Sequence, residues 1–204
     1  MQSSSKSSVQ FDEPDAPSSG NLGLIGRSPA FLQVVERIQL VARNSLSVML
    51  EGESGTGKEV VARAIHALSE RRGAFVPMNC GAIPADLFER ELFGHKRSAF
   101  TGATTSEIGL VQRAAGGTLF LDEVDSLRLD LQTKLLRFLQ EKEYRQLGST
   151  SLQTANVRVL AATNADLEAA MRERRSRGPI LPVERASTCA SSAAGAAGRR
   201  RSAR

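Results

Sequence analysis

Two hydrophobic rhythms alternate along most of this chain. Phe31, Val34, Val35, Ile38 and Val41 recur at helical spacing behind Ser28-Pro29, an N-cap followed by proline at the first helical position, and predict an amphipathic helix over 29–43. SVMLEG (47–52) is a short apolar run of the kind found in buried strands. The helical period returns over 57–72, AFVPMNC (74–80) reads as a strand, and PADLFERELFG (84–94) as a helix ended by Gly94. GTLFLDEV (117–124) is an apolar strand running into two carboxylates. DLQTKLLRFLQEKE (130–143) is a strong helix, and VRVLAATN (157–164) is a strand that ends on a polar residue. A weak helical pattern follows over 166–172, and there are no internal repeats. Helices alternating with uniformly apolar strands predict an α/β fold, a parallel sheet covered on both faces.

Composition changes this picture only at the ends. Residues 1–21 are rich in Ser, Pro and Asp and are expected to be a disordered tail without the apolar core of a secretory signal. No stretch approaches the ~20 apolar residues of a membrane span. Two cysteines, Cys80 and Cys189, make no disulfide framework, so a cytoplasmic setting is expected. The net charge of +5 is misleading: residues 172–204 carry 9 Arg and 2 Glu, which leaves 18 basic and 20 acidic residues for the rest. The part that patterns as a globule is slightly acidic and shows no nucleic-acid footprint.

Candidate chemistry sits where strands end. After the first strand comes GESGTGKE: Gly52, Glu53, Ser54, Gly55, Thr56, Gly57, Lys58 and Glu59. This is the phosphate-binding pattern, in which glycines turn backbone N–H groups inward and the next helix aims its positive end at the anion. Lys58 adds a point charge. A plain glycine turn with a surface lysine is the alternative, and the strand–loop–helix context disfavours it. Glu59 stands where the general pattern has a Ser or Thr for Mg2+, so its carboxylate must face away or act through metal and water. Asp122 and Glu123 emerge at the carboxyl end of an apolar strand, where open α/β sheets bind ligands. Asp122 suits Mg2+ held through water, and Glu123 suits polarisation of an attacking water. Asn164 closes another strand and can reach a γ-phosphate, although a lone strand-end Asn is usually turn chemistry. His66 and His95 have no partners at metal spacing; one reads as a helix-face and the other as a surface histidine.

These residues resemble the AAA+ ATPase domain of bacterial enhancer-binding proteins, the NtrC-type activators of sigma-54 RNA polymerase. The resemblance runs from about Leu24 to Met171, through LIGRSPAF, GESGTGKEVVARAIH, FVPMNCGAIP, ELFGHKRSAFTGA, GGTLFLDEV, LQTKLLRFLQEKEYRQLG and VRVLAATNADL. Glu after the loop lysine is usual there. The resemblance implies a P-loop AAA+ core over 22–174, ATP and Mg2+ as ligands, and hydrolysis in a homo-oligomeric ring, typically a hexamer, that remodels the sigma-54 holoenzyme. It implies that the loop SAFTGA, with Phe100, Thr101, Gly102 and Ala103, contacts sigma-54, and that GSTSLQTA (148–155) is a second surface loop. Ser98 replaces the family's first glycine and is expected to stiffen the loop base. Asn79 corresponds to a polar residue that pairs with Glu123; a strand-end Asn is the equal alternative. A nucleotide-binding remnant without hydrolysis, or an interaction module, is the second reading.

The family continues into a segment like FREDLYYRLNV, with arginines that reach the neighbouring subunit, and then a helical lid. Here RSRGPILPVERAS stands instead. Joining the last two bases of each codon to the first of the next across Arg177 to Ala186 permits Glu, Asp, Leu, Tyr, Tyr, Arg, Leu, Asn and Val in order. This reading makes 175–204 a low-complexity basic tail that is out of frame, with the lid and a DNA-binding domain missing. A natural nucleic-acid-binding arm is the competing reading.

Overall fold

In the computed structural model the described residues are 22, 24, 26–164 and, for backbone alone, 184–187. The expected tail over 1–21 and the weak helix over 166–172 fall outside them. Helix α1 (Pro29–Ala42) starts where the sequence places it, with Ser28 Oγ accepting from the Phe31 N–H at 3.2 Å. Strand β1 (Val48–Glu51), helix α2 (Lys58–Leu68), strand β2 (Phe75–Asn79) and helix α3 (Ala85–Phe93) follow. α2 is shorter than its apolar period because Ser69 turns extended and its hydroxyl donates to the His66 carbonyl at 2.7 Å. Then come the hairpin β3 (Gly94–His95) and β4 (Glu107–Ile108), a short α4 (Leu110–Arg113) and β5 (Thr118–Asp122). α5 (Leu129–Glu141), the hairpin β6 (Glu143–Tyr144) and β7 (Gln153–Thr154), and β8 (Arg158–Thr163) complete the domain.

The main sheet is parallel, in the order β2-β5-β8-β1-β9, where β9 is Glu184–Ser187. Its two faces are read directly from strand alternation. Met49, Leu119, Leu121, Val159 and Ala161 face α3, α4 and α5, while Val48, Leu50, Phe120, Leu160 and Ala162 face α1 and α2. Arg158 is the large polar exception, 1% exposed. Its guanidinium donates to the carbonyls of Val41 at 2.8 Å, Ala42 at 3.3 Å and Leu46 at 3.2 Å, and so satisfies the end of α1. Burial, and after it Arg71, brings its pKa down to about 10.

Two features differ from the sequence reading. The hairpins and α4 were not anticipated, because two-residue strands and a single helical turn carry no period. A segment read as a low-complexity basic tail supplies β9, in register with β1 from Val48↔Glu184 to Glu51↔Ser187. Without it β1 would be an edge of open N–H and C=O groups, and main-chain pairing does not depend on which side chains the partner carries.

Candidate active site

The sheet register brings the chemistry together. Asn79 pairs beside Asp122, and Glu51 beside Thr163, so the segments after β1, β5 and β8 leave the same edge. Gly52 donates to the Thr163 carbonyl at 3.3 Å, and the chain then curls through the phosphate loop. Gly55 and Gly57 hold φ of 79° and 84°, conformations that favour glycine, and an added Cβ at either would meet nothing within 4 Å. The glycines are thus required by backbone conformation, and the space over the loop stays open. Lys58 is 8% exposed, and its Nζ donates to the carbonyls of Gly52 and Glu53, both at 2.9 Å. Those bonds fix the ammonium at the root of the loop. Thr56 Oγ1 ties the turn to Glu53 O at 2.8 Å.

Glu59 resolves its own difficulty. Its Oε1 accepts from Arg63 Nε at 3.0 Å and Nη2 at 2.7 Å, one helical turn on, so the carboxylate is turned along α2 and its charge is balanced. The i, i+4 spacing of Glu59 and Arg63 was the available signal for this pair.

Opposite the loop, Asp122 Oδ1 accepts from the Glu123 N–H at 2.9 Å. Glu123 lies in left-handed conformation, φ 54° and ψ 44°, rare for a residue with a side chain. Its carbonyl accepts from Ser126 Oγ at 2.6 Å and from Ser126 N at 3.0 Å. Thr163 Oγ1 donates to Asp125 Oδ1 at 2.7 Å, joining the end of β8 to this turn. Ser126 and Thr163 had no sequence signature. A pocket of about 250 Å³ is bordered by Ser54, Gly55, Gly57, Lys58, Glu59, Asp122, Glu123 and Asn164, which joins all three strand-end motifs of the sequence.

Asn79 stands outside that border. Its Oδ1 accepts from the N–H groups of Gly81 at 2.8 Å and Ala82 at 3.0 Å, an Asx turn, and among the described residues it makes no hydrogen bond to Glu123. The two are neighbours across Gly81: a Cβ there would collide with Glu123 Oε2 and lie 3.3 Å from Asn79 Oδ1. Cys80 senses the local field. Burial pushes its thiol up to about 12, with Asp122, Asp125 and Glu123 adding to the effect. Carboxylates gathered near a phosphate loop suit a divalent cation. Among the described residues no cluster of three His, Cys, Asp or Glu could cage a metal.

The SAFTGA loop leaves the domain through β3, not directly from a helix. Ser98 takes φ 65°, and its N–H donates to the Ala103 carbonyl at 2.9 Å. Thr101 and Gly102 are exposed, and Ala103 is buried. The second loop braces the first. Lys96 N donates to Leu147 O at 2.9 Å and Leu147 N to Gly94 O at 3.0 Å. A Cβ on Gly148 would lie 2.7 Å from Ala99 Cβ, so the two loops touch. His95 corrects the surface reading: it is 4% exposed and lies under Phe100. His66 is the helix-face residue expected, sharing a 2.9 Å hydrogen bond between its Nδ1 and Thr118 Oγ1.

The family described as the Sigma-54 interaction domain matches residues 24–181. The alginate biosynthesis transcriptional regulatory protein AlgB of Pseudomonas putida is 51% identical over 160 residues, which are 78% of this chain and 36% of that protein. The transcriptional regulatory protein GlrR of Escherichia coli is 51% identical over 149 residues, 72% of this chain and 34% of that one. A crystal structure of NtrX from Brucella abortus in complex with ATP superposes with a TM-score of 0.69 at 36% identity, covering 77% of this chain and 35% of NtrX. The chain therefore spans about a third of the length of these relatives.

Proposed function

The chain belongs to the Sigma-54 interaction domain family and has its P-loop AAA+ core; from that premise we propose that it binds and hydrolyses ATP to remodel sigma-54 RNA polymerase. The observation that carries this is the convergence of Lys58, Asp122, Glu123 and Asn164 on one pocket over a phosphate loop. The ATP bound to NtrX supports the choice of ligand.

In this reading the N–H groups of residues 54–58 and the N-terminal end of α2 bind the β- and γ-phosphates, and Lys58 exchanges its carbonyl partners for them. Asp122 would hold Mg2+ through water, and the cation, when bound, offsets charge on the phosphates. Glu123, whose carboxylate accepts no hydrogen bond among the described residues, orients water and takes its proton. Asn164 offers an amide toward the γ-phosphate. Sigma-54 is the partner met by Phe100 and Thr101; the arginines that a ring of family subunits supplies in trans are worth ~10³–10⁵ in rate in related systems, and with 175–204 out of frame this chain lacks them and turns ATP over slowly. Residues 175–204 are read as out of frame, and the DNA around codons 174–176 decides it: a restored frame encodes an REDLYYRLNV-like segment.

The test is nucleotide binding and turnover in three proteins. Lys58→Ala should lose ATP binding. Glu123→Gln should bind ATP and lose ~10²-fold or more in turnover. Equal turnover by wild type and Glu123→Gln would mean a nucleotide-binding remnant without hydrolysis.

A further inference from the structure

We propose that Arg90 and His95 are positioning residues that seat the Phe100 ring, and that the strained backbone at Ser98 works against the seat. The SAFTGA loop is thereby balanced between a docked and a released state. Its use in meeting a partner rests on the functional reading above.

The seat is small and polar. Phe100 is 40% exposed. Its ring centroid lies 5.1 Å from that of His95 at a 52° tilt, and the Arg90 guanidinium carbon lies 5.7 Å from the ring centroid. Beneath the ring is a cavity of about 180 Å³, bordered by Arg90, His95, Glu107 and the loop itself. His95 Nδ1 and Arg90 Nε are buried with no hydrogen-bond partner among the described residues. Phe100 does not drop into an apolar hole. It is held by its face against a cation and an imidazole, with room below for water.

The opposing term is in the backbone. Ser98 holds φ 65°, where a side chain is strained and glycine is not. A cation–π contact of this kind and a left-handed serine are of similar size, so neither state dominates. The moving part is short. Residues 94–96 are tied to Leu147 by backbone hydrogen bonds, the Arg97 N–H donates to Ser106 Oγ at 2.8 Å, and Ala103 is buried, so release is confined to 98–102.

Cleavage by chymotrypsin after Phe100 reads the released state in the full chain. Phe120 and Phe138, 1% and 2% exposed, report global unfolding in the same digest. Arg90→Ala and His95→Ala should each speed cleavage at Phe100 by ~5-fold with Phe120 unchanged. Arg90→Lys, which keeps the cation, should return the rate to within ~2-fold of wild type. Ser98→Gly should slow cleavage by ~3-fold, since relief of strain favours the docked loop. Unchanged cleavage in Arg90→Ala, or equal acceleration at Phe100 and Phe120, overturns the seat. If the alanine variants fold poorly, Ser98→Gly still decides: cleavage as fast as wild type or faster overturns it. Sigma-54 binding, measured separately on the same variants, tests the functional reading. Altered cleavage with no sigma-54 binding in any variant supports the seat and overturns that reading.

Discussion

Glu123 and Ser98 hold almost the same left-handed backbone, at φ 54° and 65°, in different surroundings. A third such residue, Lys142, only terminates α5. Around Glu123 the strain is over-determined. Asp122 takes its N–H, Ser126 bonds its carbonyl twice, and Thr163 clamps the same turn through Asp125. Around Ser98 the holding is done by hydrogen bonds within the loop, Ser98 N–H to Ala103 O, Ala99 N–H to Lys96 O, Ala103 N–H to Phe100 O and Arg97 N–H to Ser106 Oγ, and by a ring laid on Arg90 and His95. The same local strain becomes a fixed aim in one place and a spring in the other. The difference lies in where the opposing groups are anchored: the Glu123 turn is tied to Thr163 on β8, whereas the hydrogen bonds around Ser98 stay within the loop.

The largest expected effect tests the fixed aim. Gly81→Ala pushes its Cβ into Glu123 Oε2, and the carboxylate, at the far end of a flexible side chain, must swing away while its backbone stays. Turnover should fall by about 10²-fold, the scale of an ångström misplacement, with ATP affinity near wild type. Unaltered turnover would break the contrast, because the Glu123 carboxylate would then need no fixed place.

Thr163→Val tests the clamp. It keeps the shape and deletes the 2.7 Å hydrogen bond to Asp125, leaving that carboxylate one partner short. A loss of ~1–3 kcal/mol is expected in thermal unfolding. Cleavage at Phe100 should not change, since the clamp lies at the pocket edge while the loop is braced on Leu147 and Gly148. A faster loop in this variant would show that the two regions are coupled.

The two regions were also unequally legible in the sequence. The nucleotide edge was readable because each motif followed a strongly periodic element: GESGTGKE after SVMLEG, Asp122-Glu123 after GTLFL, Asn164 after VRVLAAT. A parallel sheet then necessarily gathers those ends at one edge. What could not be read was the left-handed turn at Glu123 and the Thr163–Asp125 tie, since Glu, Thr and Asp show no bias that announces either. The SAFTGA loop was found as a motif, yet its seat was not. Arg90 belongs to the polar side of an amphipathic helix, and His95 lies in a two-residue strand too short to show which face is buried. The pairing of Asn79 with Glu123 is not seen because an Asx turn captures the Asn79 oxygen, a choice of partner that sequence does not decide. β9 was invisible for another reason: its pairing is main-chain only, and its surroundings in sequence are Arg- and Pro-rich.

Ser98→Gly tests the spring at the level of stability. Glycine removes the strain but gives the released loop more freedom, so the net gain is about 0.5–1 kcal/mol. Glu123 offers no matching experiment, because its side chain is needed. A measured loss of stability would mean that Ser98 is at ease in its conformation, and the comparison would collapse to one strained site.

The smallest expected effect lies behind the fixed edge, at the joint between the phosphate-loop helix and the carboxylate strand. His66 Nδ1 shares its hydrogen bond with Thr118 Oγ1, and burial, followed by the charges of Arg158 and Arg63, holds its pKa below 6.5. The unfolded chain therefore takes up that proton more readily than the folded one. The stability that the neutral imidazole contributes is complete above pH ~6.5 and is lost as pH falls below it. Comparison of wild type with His66→Gln isolates this group. Between pH 7.5 and 5.5 the melting temperature of wild type should drop further than that of His66→Gln, while cleavage at Phe100 at neutral pH stays equal in the two. Parallel melting curves would mean that His66 is not held neutral. A changed loop would mean that acid loosens both regions through one joint, and that the spring at Ser98 is anchored in the same rigid edge that aims Glu123.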